Sequence, residues 1–311
     1  MKKNGLLLVN LGSPKTPTTP DVKAYLKEFL SDTNVIEMPP AVWQPILRGF
    51  VLPLRSWRSA TFYRDIWTSE GSPIITNTQK ITNKVQQLLS NWNVQMAMTY
   101  GDPSIPNQLA KLQKTCEQII VLSLFPHFTK STTQTIIDKV KAFDPQIKII
   151  DRFYQEDAYL KTLTKHIQKV WDHGNYDRLF LSYHGIPTAM VKHGDPYKNE
   201  TESTTASLIK RLNIPKEKIK MVYQSKFGPL PWLKPYLKNT LLSEAQLGQR
   251  NILIAAPSFV ADCLETLEEN NTQNYQAFRE NGGDNLDLVP ALNDDPEFVQ
   301  FIATLAQREE K

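Results

Sequence analysis

Gly5-Leu6-Leu7-Leu8-Val9, closed by Asn10-Leu11-Gly12-Ser13-Pro14 and followed by Thr19-Pro20-Asp21, with Val22, Tyr25, Leu26, Phe29 and Leu30 beyond it, decides the fold. An unbroken run of branched and apolar residues suits a strand buried on both faces. Thr19, Pro20 and Asp21 supply an N-cap, a first-turn proline and an acid that suits the helix dipole. The apolar positions after them recur at helical spacing. A buried strand that turns into an amphipathic helix is the opening unit of an α/β protein.

The same alternation continues along the chain. Apolar, β-rich runs at 94–100, 118–125, 147–153, 179–183, 219–224, 252–256 and 286–289 read as buried parallel strands. Helical patterns lie between them, notably at 160–171, 204–212 and 298–305. Repeated strand–helix alternation predicts parallel sheets with helices on both faces, here two doubly wound, Rossmann-like lobes. No G-x-G-x-x-G opens a helix after the first strand and no G-x-x-x-x-G-K-S/T is present, so dinucleotide and nucleoside-triphosphate fingerprints are missing. Ligands of such folds bind beyond the carboxyl ends of strands. Leu11-Gly12-Ser13-Pro14, Tyr183-His184-Gly185 and Pro257-Ser258-Phe259 fall at such ends.

Composition narrows the classes. The chain has 311 residues, 41% hydrophobic, with 36 Lys and Arg against 32 Asp and Glu, a net charge of +4 that is too small and too evenly spread for a nucleic-acid partner. Cys116 and Cys263 lie far apart with no C-x-x-C pair, which excludes a disulfide framework and a four-thiolate centre within one chain and suits a reducing cytoplasm. Met1-Lys2-Lys3 before the first apolar run superficially resembles a short signal peptide, but Asn10 interrupts it and no small-x-small cleavage site follows. No apolar run approaches the ~20 residues that span a bilayer. The stretch 42–54, VWQPILRGFVLPL, is unusually apolar for a connection. It reads equally as a core segment and as a surface that touches a membrane or covers a pocket.

Two sets of residues carry potential chemistry. His184 stands between a strand and the Gly185-Ile186-Pro187 turn, where an imidazole can accept a proton near neutral pH or bind a borderline metal. A hydrogen-bonded structural histidine is the ordinary alternative. Asp262, Glu265, Glu268 and Glu269 recur at spacings of three and four, which stacks carboxylates on one α-helical face unless a cation or proton relieves them. A solvated acidic helix start is the competing reading. The run 224–233, with Trp232 in a proline-bounded loop, places an indole where it either caps a core or stacks on a flat ligand.

These residues resemble the ferrochelatase family. Its members carry an S-x-H-G-x-P strand end, a Q-S-K/R-x-G-x-x-P-W-L loop and a P-x-F-x-x-D-x-x-E-T-L helix start. Here stand Ser182-Tyr183-His184-Gly185-Ile186-Pro187, the run Gln224-Ser225-Lys226-Phe227-Gly228-Pro229-Leu230-Pro231-Trp232-Leu233, and Pro257-Ser258-Phe259 leading through Asp262 to Glu265-Thr266-Leu267. The resemblance extends to Leu8–Pro14, 27–32, Gly71-Ser72-Pro73 and Pro290-Ala291-Leu292-Asn293. It implies a chelatase-like fold with a first lobe at 1–145, a second lobe at 146–293 carrying His184 and Glu265, and a C-terminal helix, 294–311, packing back on the first.

The resemblance also implies an activity: insertion of Fe²⁺ into a porphyrin with release of two protons, in haem biosynthesis. His184 and Glu265 are then the paired residues for catalysis and iron, their division of labour left open, with Glu268 or Glu269 relaying metal or protons. Trp232, Phe259, Tyr100 and Leu11 would line the porphyrin cleft and Arg55 and Ser72 its propionate end. Porphyrin and ferrous iron are the expected partners, with no permanently bound cofactor, no carboxy-terminal 2Fe–2S centre, a monomer by analogy, and peripheral membrane contact at 42–54. A cobalt chelatase would lack the 224–233 loop, and a non-catalytic haem carrier would not need the carboxylate face. Between porphyrins, the first-strand motif and the 262–267 helix favour protoporphyrin IX. So does the lack of a tyrosine at Lys15 or Ile136. Pro126-His127-Phe128 and the charge of Lys15 favour the alternative, coproporphyrin III.

Overall fold

The apolar runs lie in two parallel sheets, one in each of two units, Met1–Arg152 with Asn293–Lys311 and Phe153–Leu292. The computed structural model describes residues 3–310; Met1, Lys2 and Lys311, at the ends of the expected first lobe and C-terminal helix, lie outside the described residues. In the first unit, β1 (Lys3–Gly12), β2 (Trp92–Tyr100), β3 (Cys116–Ser123) and β4 (Lys148–Ile150) pair in the order β2-β1-β3-β4. In the second, β5 (Arg178–His184), β6 (Ile219–Gln224), β7 (Asn251–Ala255) and β8 (Asn285–Leu288) pair as β6-β5-β7-β8. Every pairing is parallel, and each unit repeats one strand order.

Burial explains why the strands read as continuous apolar runs. Leu6, Leu7, Leu8 and Val9 are all fully buried although successive residues point to opposite faces, so both faces of the sheet are covered. Each such side chain contributes roughly 1.5–3 kcal/mol on burial. On one face Leu7, Val9, Ala97 and Val121 meet Ile105 and Leu109 of the helix Ile105–Thr115 and Ile136 and Val140 of the helix Thr135–Phe143. In the second unit Phe180, Val222, Ile252 and Ile254 pack against Leu237, Leu241 and Phe278.

Three local readings of the sequence are corrected. The strand expected at 147–153 joins the first sheet, through Ile120↔Lys148, Val121↔Ile149 and Leu122↔Ile150, so the units divide after Arg152 rather than at 145. The first helix, Thr19–Leu30, begins one residue earlier than expected, with Thr18 at the cap position and no side-chain capping bond. Its hydroxyl instead meets that of Thr16, 2.8 Å away, which donates to Asp21. The third correction concerns 42–54, which is helical: Pro40–Ile46, a π turn Leu47–Val51, and Leu52–Ile66.

That helical stretch is apolar on two sides. Leu47, Leu52, Ser56 and Ala60 face inward and are buried. Met38, Val42, Ile46, Phe50, Leu54 and Trp57 face out, with Phe50 67%, Leu54 70% and Trp57 61% exposed. A spacing of four drifts by about 40° per step around an α-helix. The wider π turn at Leu47–Val51 takes up part of this drift and keeps the outer stripe in line.

The C-terminal helix Pro296–Arg308 belongs to the first unit and packs against the helix Pro73–Leu88. Asp295 caps it by accepting from the amides of Glu297 and Phe298 at 2.8 and 3.1 Å, and Lys84 pairs with Asp294 at 2.6 Å. In the second unit Glu244 of the helix Leu237–Gln246, almost fully buried, joins Arg178 of β5 at 2.9 Å and Lys220 of β6. Burial pushes its carboxyl up, but the two cations outweigh it and hold the group below the usual carboxylate range. Among the described residues no helix is long and apolar enough to cross a membrane.

Candidate active site

His184 is the last residue of β5, one position further into the strand than its sequence reading, and it pairs across the ladder with Gln224, the last residue of β6. The next residue must be small. A Cβ on Gly185 would lie 2.9 Å from the Gln224 carbonyl oxygen and 3.2 Å from the Trp232 ring. Its amide donates to that carbonyl at 2.9 Å, so the chain leaves the sheet at a fixed angle. The half-buried His184 ring then folds back, with Nδ1 2.6 Å from the Gly185 oxygen. A carbonyl only accepts, so Nδ1 carries a proton, and in the neutral ring Nε2 then presents the lone pair.

Two aromatic residues flank this imidazole. Trp232 and Phe259 each hold their ring centroid 6.4 Å from that of His184. The 224–233 loop is sewn to the turn after β5 by Leu233 N to Ile186 O and Thr188 N to Pro231 O, both 3.0 Å, which seats Trp232 over Gly185. Phe259 leaves the end of β7 on a turn braced by two buried tyrosines. Tyr159 donates to the Pro257 oxygen at 2.6 Å and the Tyr197 hydroxyl meets that of Ser258 at 3.0 Å.

The carboxylates are sorted differently from the α-helical expectation. Glu265–Asn274 is a π-helical segment, whose about 4.4 residues per turn keep a +4 neighbour on the same face while a +3 neighbour swings away. Glu265 and Glu269 therefore belong together. Glu269 accepts from the Ser225 amide at 2.7 Å, from the Ser225 hydroxyl, and from Gln224 Nε2 at 3.3 Å. Burial pushes its carboxyl up; the Ser225 bonds and the His184 ring pull it down, and Glu265 adds to the rise, with the net above the ordinary value. That coupling places His184, Glu265 and Glu269 in one electrostatic neighbourhood.

Glu268, expected as an alternative relay, is buried and accepts from Gln273 instead. Asp262 accepts from the Thr266 hydroxyl at 3.1 Å and the Ala291 amide at 3.4 Å, fixing the start of the segment. The Cys263 thiol is held well above its usual range by burial first and then by Glu265, so it remains a thiol. Among the described residues no three His, Cys, Asp or Glu side chains form a group that could hold a metal ion. A site that hands its metal to a substrate needs open positions, unlike the closed set of a structural centre.

The four remaining sequence-predicted residues belong to the first unit. Leu11 is half-buried near the end of β1 and Arg55 half-exposed on the helix Leu52–Ile66. Ser72 is buried at the head of the helix Pro73–Leu88. Tyr100, expected to line a cleft, is only 1% exposed; its hydroxyl donates to Asp32 at 2.7 Å and its ring packs against Phe29 at 5.1 Å. A tyrosine at a strand end serves the core as readily as a ligand, and here it serves the core.

Sequence reading assigned no role to Gln224, Ser225, Ser182 or Asn270, although the first three lie within motifs. Asn270, buried and 46 residues away from Gln224, gave no signal at all.

The fold is shared with solved chelatase structures: SirB from Bacillus subtilis with Fe3+ superposes with a TM-score of 0.54 at 11% identity, covering 98% of this chain and 95% of that one. The sirohydrochlorin chelatase SirB from Bacillus subtilis subspecies spizizenii in complex with cobalt gives 0.55 at 12% identity, covering 99% and 94%. The ferrochelatase family model matches residues 3–310, and the chain belongs to that family: it is a metal chelatase of haem biosynthesis. It is 70% identical over 308 residues, 99% of each chain, to the coproporphyrin III ferrochelatase of Limosilactobacillus reuteri. It is 56% identical over 306 residues, 97% of this chain and 95% of the other, to that of Lacticaseibacillus paracasei.

Trp232→Ala is expected to weaken porphyrin binding by about 1 kcal/mol, roughly fivefold, without a matching loss of melting temperature. Fluorescence titration with a free-base porphyrin measures it. Unchanged affinity with a lowered melting temperature would make the indole a packing residue.

Proposed function

We propose that the chain inserts Fe²⁺ into coproporphyrin III at the face formed by His184 and Glu265, and that His184 Nε2 accepts the pyrrole protons. The observation that carries this reading is the Nδ1 bond to Gly185, which leaves the outer nitrogen as a base. Insertion of one Fe²⁺ removes two N–H protons, so the macrocycle core stays neutral while two protons must leave. Glu265 supplies oxygen donors that suit ferrous iron, and behind it stands Glu269, whose carboxyl burial raises above its ordinary value. Trp232 and Phe259 offer rigid walls against which a flat ring is held.

The relatives favour coproporphyrin III over the protoporphyrin IX expectation. Proteins 70%, 56% and 40% identical to this chain bear the name coproporphyrin III ferrochelatase. Ile136 is fully buried in the first unit's core, so its identity reports packing. Lys15, exposed after the β1 turn, suits a substrate with four carboxylates. Anaerobic metallation with both porphyrins, by wild type and by His184→Ala, tests the reading. Expected are many turnovers, higher kcat/KM for coproporphyrin III, and a loss of about 10²-fold or more in the variant with porphyrin binding retained. A stop at one equivalent, a preference for protoporphyrin IX, or near-normal turnover by His184→Ala contradicts it.

A cytoplasmic setting is supported by two buried, free thiols. Within it, the outer stripe from Met38 to Trp57 suits the surface of an anionic bilayer. Between Glu37 and Asp65 there is no acidic residue, while Arg48, Arg55, Arg58 and Arg64 are present. Basic helices with Trp, Phe and Leu on one face lie in the lipid interface. Wild type is expected to sediment with phosphatidylglycerol vesicles more than with phosphatidylcholine vesicles, and Phe50→Asp with Leu54→Asp to abolish this. Equal, negligible sedimentation with both would remove the stripe from membrane contact.

A further inference from the structure

The geometry points to Gln224 and Ser225 as the positioning residues of the metal-insertion site, a clamp that holds the Glu265–Asn274 segment so that Glu265 and Glu269 face His184. The inference rests on the reading of His184 and Glu265 as the reacting pair.

The Gln224 side chain is 2% exposed, and every hydrogen-bonding position of its amide is filled. Nε2 donates to the Glu265 carbonyl oxygen at 2.9 Å and to Glu269 Oε2 at 3.3 Å. Oε1 accepts from Ser182 Oγ at 2.8 Å and from Asn270 Nδ2 at 3.0 Å. The Glu265 carbonyl can only accept, which fixes the direction of the amide. One side chain thus ties β5, through Ser182, to the first two turns of the π-helical segment, through Glu265, Glu269 and Asn270. Its own main-chain carbonyl receives the amide that follows His184. A buried amide with all four bonds made is rigid, because any rotation leaves donors and acceptors unpaired.

Ser225 adds a second, independent mark. It holds φ at +64°, a left-handed conformation that a residue with a Cβ adopts at a cost. In that conformation its amide and hydroxyl both point to the Glu269 carboxylate. Glycine would take the same backbone without strain, so the retained hydroxyl is the feature to explain. The neighbouring loop residues Lys226 and Phe227 are exposed, and the clamp ends at the half-buried Glu269.

Three variants test the clamp. Gln224→Met keeps the length and removes both donors; Gln224→Glu keeps the acceptor for Ser182 and Asn270 and removes the donors. Ser225→Gly relieves the backbone and deletes only the hydroxyl. Turnover is counted per porphyrin-binding site, so unfolded protein does not imitate a slow enzyme. Expected are a fall in kcat of tenfold or more for both Gln224 variants with porphyrin Kd within twofold of wild type. Ser225→Gly should show a threefold or larger fall in kcat with a melting temperature equal to or above wild type.

Wild-type kcat in Ser225→Gly and in whichever Gln224 variants fold overturns the clamp, as does a loss of porphyrin affinity equal to the loss of kcat. His184→Ala separates the two levels. If that variant is inactive while the clamp variants turn over normally, only the clamp fails; if it is active, the reading of the site itself fails.

Discussion

The last rung of the β5–β6 ladder, His184 opposite Gln224, is the constraint on which the site depends. Parallel pairing brings two strand ends to one edge, and the Gly185 amide to Gln224 carbonyl bond fixes how the chain leaves it. A shift of register by one residue would exchange the faces of every side chain on β5. Phe180, packed into the core, would then trade sides with Leu181 and Leu179, and His184 would lose its place beside Trp232. Core packing of the sheet therefore sets the position of the base.

From that rung the site is built outward by hydrogen bonds. The imidazole is oriented by its own neighbour, and the carboxylates by a helix of unusual pitch. A π segment is held only where tertiary contacts stabilise it. Here the Gln224 amide, the Ser225 amide and hydroxyl, and the Asp262–Thr266 bond occupy its first turns. The result is a half-buried imidazole with a bare nitrogen beside a carboxyl that burial keeps easy to protonate.

Much of the fold was legible because burial on both faces writes strands as apolar runs, as Leu6 to Val9 and Leu179 to Leu181 show. Boundaries were less legible. β4 is three residues long, and its membership is decided by pairing with β3, which no local pattern encodes. His184 was legible because glycine and proline punctuate the strand end after it. The grouping of Glu265 with Glu269 and the removal of Glu268 were not, since an α-helical spacing treats both alike and only the tertiary clamp selects the wider helix. Tyr100 misled because aromatic residues at strand ends look the same whether they meet a ligand or Asp32. The stretch 42–54 read ambiguously for a good reason: it is apolar on its inner and outer faces at once.

The central claim is that His184 stands at the site with its outer nitrogen unprotonated and available. Long-range proton–nitrogen NMR of the histidine rings, with His184→Gln to assign the signal, measures this directly at pH above the ring's titration. The expected result is the Nδ1–H tautomer for His184, with Nε2 at the chemical shift of a bare nitrogen and perturbed by added porphyrin. An Nε2–H tautomer, or a ring insensitive to porphyrin, would contradict it.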